Sequence, residues 1–98
     1  MREGPVLAVV AVHLRTMWAM PIFFWRMRRL ERETKALPGL VRIHRWISRR
    51  SLLLTTWWRE EEGARAWLEG PQVGRFLALS GRGPVVMAWA GIYREAGS

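Results

Sequence analysis

Residues 40–58, LVRIHRWISRRSLLLTTWW, hold two strand-forming runs separated by a short polar break. From Leu40 to Ile47, Val41, Ile43, Arg45 and Ile47 alternate with Arg42, His44 and Trp46, which is the period of a strand with one of its faces partly polar. Ser48-Arg49-Arg50-Ser51 interrupts the pattern, and Leu52 to Trp58 resumes it with apolar or threonine side chains on both sides. The pair predicts a β-hairpin.

Moving outward, each side of the hairpin offers a helix and then a strand. Upstream, residues 22–37 place Phe23, Met27, Leu30 and Leu37 on one line with Thr34, and Arg28, Arg29, Arg32, Glu33 and Lys35 elsewhere. Pro21 suits the first turn of that helix, Glu31 precedes Lys35 by one turn, and Pro38-Gly39 ends it. Before it, Val6 to Arg15 is a β-branched run opened by Gly4-Pro5 and apolar on both alternating faces, the mark of a strand buried on both sides. Downstream, Glu60, Glu61 and Glu62 put negative charge where a helix N-terminus favours it, and Ala64, Trp67 and Leu68 form an apolar stripe up to Gly70-Pro71. Pro71 begins a further turn carrying Val73, Phe76, Leu77 and Leu79; a Gly81-x-Gly83-Pro84 loop and a last strand from Val85 to Tyr93 follow, with a fraying tail after Arg94. The order β-α-β-β-α-β predicts a single ferredoxin-like α+β domain over residues 1–98, with a four-stranded antiparallel sheet and the helices on one side.

Composition narrows the chemistry. The 98 residues contain no cysteine, which excludes disulfides, thiolate metal sites and cysteine nucleophiles and suits a reducing, cytoplasmic compartment. Aspartate and asparagine are also absent, removing Ser-His-Asp triads and aspartyl dyads. Two histidines with no carboxylate cluster at ligand spacing argue against a metal. All but one of the basic residues are arginine, a composition similar to that of heat-adapted proteins from GC-rich genomes. The net charge of +8 attracts anions, yet the arginines are dispersed, which fits a solvated surface better than a nucleic-acid site. No apolar run approaches the ~20 residues of a membrane span, and no membrane partner is expected. Trp18, Phe23, Phe24 and Trp25 beside arginines are nonetheless a mixture that interfacial helices use.

Two helices can cover one face of a four-stranded sheet, but the first, third and last strands are apolar on both. A homodimer packing sheet against sheet is therefore expected. From Trp58 onward, the run Trp58-Arg-Glu-Glu-Glu-Gly-Ala-Arg-Ala-Trp67, then Gly70-Pro71-Gln72 and Phe76, resembles the antibiotic biosynthesis monooxygenase family, as does Pro38-Gly39-Leu40 at the helix-to-strand turn. The resemblance implies a dimeric α+β barrel. It also implies an oxygenase that needs no cofactor and acts on an aromatic small molecule in a pocket between sheet and helices. In the family's haem-degrading branch a histidine binds the iron; the matching position is Gln72, so haem is disfavoured.

In such chemistry the substrate carbanion itself reduces O₂, and the protein supplies a base, a dry cavity and donors for the developing oxyanion. The expected base is His13 or His44, and the expected donor Arg45 or Tyr93. Trp58, Phe23, Met27 and Trp67 are expected to wall the pocket, the first by its match to the family's tryptophan. The ligand would be aromatic or anionic. Non-catalytic ligand binding on the same scaffold is the alternative, and an RNA- or DNA-binding module a more distant one.

Overall fold

The computed structural model describes residues 6–94. Gly4-Pro5 and the tail after residue 94 lie outside the described residues. Strand β1 (Val6–Leu14) leads through a 3₁₀ turn (Met17–Ala19) into helix α1 (Met20–Lys35). The hairpin β2 (Leu40–Ile47) and β3 (Ser51–Trp58) follows, then α2 (Glu61–Leu68), α3 (Pro71–Leu77) and β4 (Val85–Arg94). The four strands form one antiparallel sheet in the order β2-β3-β1-β4, the ferredoxin-like arrangement.

The elements begin and end for local reasons. The Thr16 hydroxyl accepts the Trp18 N–H and caps the 3₁₀ turn, so helical structure starts well before the expected Ile22. Pro21 sits in the first turn of α1, where its missing N–H is harmless. That helix stops at Lys35 rather than at Leu37: the Leu37 N–H bonds back to the Thr34 carbonyl, and Gly39 takes φ +87°, a conformation open to glycine. Glu61 and Glu62 occupy the first turn of α2, and Glu61 pairs with Arg65 one turn on and with Arg94 at the end of β4.

Register divides the side chains cleanly. Val6, Ala8, Val10 and Val12 of β1 face the helices together with Leu52, Leu54, Thr56 and Trp58 of β3. Phe23, Met27, Leu30 and Thr34 of α1 close over them, with Ala64 and Trp67 from α2 and Val73 and Phe76 from α3. Two buried relays keep this core satisfied. The Trp58 indole N–H donates to the Thr56 hydroxyl (2.8 Å), which donates to the Ala8 carbonyl (2.9 Å). The Trp67 indole donates to the Thr34 hydroxyl (2.9 Å), which donates to the Leu30 carbonyl (2.7 Å). The two indole rings lie 5.8 Å apart. Each brings apolar bulk into the core with its polar edge already bonded.

The molecule is 19 Å thick along its shortest axis, the depth of one sheet and one helical layer. Opposite the helices the sheet presents Leu7, Val9, Ala11 and His13; Leu53, Thr55 and Trp57; Arg42, His44 and Trp46; and Met87, Trp89 and Tyr93. Among the described residues no layer covers this outer face. Trp57 and Trp58 therefore point to opposite sides, as their adjacency predicts. Bulges at Val41 and Val86 leave both valines exposed.

Candidate ligand-binding site

The helices splay rather than close, and the space between α1 and α3 is a groove of about 630 Å³. Its floor is apolar, made by Leu30 and Phe76 with Leu79 beside them. Arg26 and Arg29 rise from α1 on one side and Gln72 and Arg75 from α3 on the other; Ile22 and Trp25 extend the apolar wall at the mouth. Arg29 meets Glu33 at 3.6 Å, one turn along. The Arg26 guanidinium lies 5.5 Å from the centre of the Phe23 ring. Among the described residues neither Arg26 nor Arg75 has a carboxylate partner. An apolar floor edged by three guanidinium groups and one carboxylate can hold a flat apolar body and fix an anionic substituent.

The residues expected to form a site separate into three groups. Trp58, Met27, Trp67 and Phe23 are all buried in the core, where they touch one another and the sheet, and none lines the groove. Arg45 lies on the helix side of β2, but its guanidinium pairs with Glu31 and sits 5.2 Å from the centre of the Phe24 ring. Glu31 also meets Lys35 at 3.5 Å, so Arg45 clamps β2 to α1. His13, His44 and Tyr93 stand on the outer face, with the whole sheet between them and the groove.

His13 is tied into the sheet through both ring nitrogens. The Trp89 indole N–H donates to Nε2 (3.3 Å), and Nδ1 lies 2.7 Å from the Ser51 hydroxyl. The imidazole thus links β3, β1 and β4 with both nitrogens engaged. His44 packs on Trp46 with ring centres 4.4 Å apart, and the Trp46 indole donates to Thr55 Oγ1 (3.0 Å). Trp57 lies under Arg42 at 5.3 Å. Among the described residues no three His, Asp or Glu side chains gather at a spacing that could hold a metal ion. Nor is any helix long and apolar enough to cross a membrane.

The groove residues carry a sequence signal that reading for the core alone passes over. Ile22, Arg26, Arg29 and Glu33 each precede a core residue of α1 by one position, as Gln72 and Arg75 do in α3. A second stripe parallel to the buried one, shifted by one residue, is what a helix at the rim of a cleft requires.

No protein-family profile matches the sequence, and no curated protein is similar to it at a significant level. Solved structures are similar over nearly the whole chain. SnoaB from Streptomyces nogalater, a cofactor-independent oxygenase, is 17% identical, with 97% of this chain and 96% of that chain covered at a TM-score of 0.69. A candidate antibiotic biosynthesis monooxygenase from Nitrosomonas europaea is 14% identical, with 97% and 93% covered at 0.76. A conserved protein from Methanosarcina mazei Go1 is 16% identical, with 95% of each chain covered at 0.73. The chain has the fold of antibiotic biosynthesis monooxygenases.

Proposed function

We propose that the groove between α1 and α3 binds a small aromatic anion, and that a second copy of the chain covers the outer face of the sheet in a cytoplasmic homodimer. The observation that carries the first part is the pairing of an apolar floor, Leu30 and Phe76, with Arg26, Arg29 and Arg75 at the rim of a single cleft. A ring system covers the floor, and a carboxylate or phenolate meets the guanidinium groups. Haem does not fit this lining, which among the described residues offers no imidazole, thiol, thioether or phenol to ligate iron.

Binding of aromatic carboxylates and phenolates, followed by calorimetry, tests the reading. Losing one charge-assisted hydrogen bond costs ~1.5–3 kcal/mol, so Arg75→Gln should weaken binding about tenfold or more. Equal affinity in Arg75→Gln and Arg26→Gln would refute it.

A catalytic reading draws support from the fold shared with the oxygenase SnoaB. In it a methylene flanked by aromatic rings loses a proton, and the carbanion reduces O₂ and forms the new C–O bond. One oxygen remains as a ketone and the other leaves as water, so the substrate is the only reductant. Among the described residues Glu33 is the one carboxylate lining the groove and takes the part of the base, while the arginines steady the oxyanion. Oxygen uptake with an anthrone-like ligand that binds in the groove, lost in Glu33→Gln while binding persists, separates this reading from binding alone.

The homodimer rests on the outer face. Four strands at ~4.8 Å spacing and ~3.3 Å per residue make a face of roughly 500 Å² in plan, and side-chain relief brings it toward the ~800 Å² per partner of a stable interface. Trp46 and Met87 are half-exposed on it, and a second copy would bury both. Native mass spectrometry reads the subunit count directly.

A further inference from the structure

The 3₁₀ turn and the first turns of α1 carry large exposed apolar side chains. Trp18 is 90% exposed, Trp25 66% and Ile22 61%. On α1, Ile22, Trp25, Arg29 and Arg32 recur every three or four residues and so form one stripe, flanked by Arg26 and Arg28, and Trp18 is exposed in the 3₁₀ turn just before the helix. The core stripe of Phe23, Met27, Leu30 and Thr34 lies on the opposite side of the same helix. Scattered exposed apolar residues are ordinary, but two tryptophans and an isoleucine, each exposed by more than 60% and all between Trp18 and Trp25, are not.

Charge identifies what this patch suits. The two acids of α1 are already engaged, Glu31 with Arg45 and Lys35 and Glu33 with Arg29. Among the described residues Arg26, Arg28 and Arg32 have no carboxylate partner, so the patch is apolar at its N-terminal end and cationic beyond it. Indole rings rest at the boundary between acyl chains and headgroups, and guanidinium groups pair with phosphates. The +8 net charge adds a long-range attraction of the same sign.

We propose that this surface docks on an anionic lipid bilayer, with Trp18, Ile22 and Trp25 in the headgroup layer and Arg26, Arg28 and Arg32 on lipid phosphates. Ile22, Trp25 and Arg26 also edge the groove, so a docked molecule turns the mouth of its groove toward the lipid. Docking does not depend on what the groove holds.

Co-sedimentation of the full chain with vesicles tests it, using phosphatidylcholine alone and phosphatidylcholine mixed with phosphatidylglycerol. Binding is expected only to the mixed vesicles, and it should weaken as salt is raised. A Trp18→Ser, Trp25→Ser double variant should bind about tenfold or more weakly. A triple Arg26→Gln, Arg28→Gln, Arg32→Gln variant should lose about a hundredfold, at roughly fivefold per arginine. Trp46→Ser, on the sheet face, should bind as wild type. All these positions are exposed or partly exposed, and unchanged thermal unfolding checks that the variants fold. Failure to bind the mixed vesicles, or equal binding to both compositions, overturns the proposal. So does undiminished binding by the tryptophan and arginine variants, or loss of binding in Trp46→Ser. A drop in subunit number on changing Trp18 and Trp25 overturns it too, since a second copy would then be the occupant. Calorimetry with a soluble aromatic carboxylate, run without vesicles, reads the groove separately.

Discussion

Replacing Thr34 by valine isolates the value of one buried relay, because the two side chains have nearly the same shape. In the native core the Trp67 indole donates to the Thr34 hydroxyl at 2.9 Å, and that hydroxyl donates to the Leu30 carbonyl at 2.7 Å. Thr34→Val removes both bonds while leaving the packing almost untouched. The Leu30 carbonyl keeps its place in the helix ladder, so the main loss is an indole N–H with no partner and no water, worth ~1–3 kcal/mol. For a domain of this size each kcal/mol moves the Tm by roughly 4–8 °C, which predicts a fall of about 10 °C. Thr34→Ser keeps the relay and loses one buried methyl group, at about 1 kcal/mol. The expected order of stability is therefore wild type, serine, valine. Thermal unfolding followed by near-ultraviolet circular dichroism, at one fixed protein concentration, measures it. Valine as stable as threonine, with serine the weaker variant, would refute the reasoning and assign the site's value to the methyl group instead. Because Leu30 forms part of the groove floor, the valine variant should also loosen ligand binding.

Gly39→Ala places a side chain at φ +87° and should lower stability by ~1–2 kcal/mol in urea unfolding. Leu53→Glu sets a charge in the middle of the outer sheet face and should convert the proposed dimer to a folded monomer, read by native mass spectrometry. A His13→Ala, His44→Ala double variant should leave affinity for a groove ligand within about twofold, since both imidazoles lie across the sheet from it. Glu31→Gln leaves Arg45 without its partner and should cost about 1 kcal/mol at low salt, with less lost as salt rises.

The fold was legible because its signals are local and repeated. Period-two alternation placed β2 at its observed bounds, and two-sided apolar character placed β1 in the interior of the sheet. Helix starts were less legible: nothing in a hydrophobic pattern reveals that Thr16 caps a 3₁₀ turn, so α1 was expected two residues late. The site was legible only in part. Gln72 was read only as the position matching the family's haem-binding histidine and lines the groove, while Trp58, Phe23, Met27 and Trp67, expected as pocket walls, lie in the core. A large aromatic at helical spacing satisfies both descriptions, and only the separation of α1 from α3 tells them apart. For the histidines, alternation gave the right partition of β2, His44 with Arg42 and Trp46. It could not say which of the two faces the helices would cover.

The strand order sets a timetable for making the molecule. β1 leaves the ribosome before the other three strands, lies second from the edge of the sheet, and pairs with β3 on one side and with β4 on the other. Until β4 is made its VLAVVAVHL run has no second neighbour, and the hairpin that supplies the first comes only after α1. Cooperative folding thus waits for β4 to emerge, and a nascent chain stalled before Val85 exposes an apolar strand edge that invites pairing with another chain.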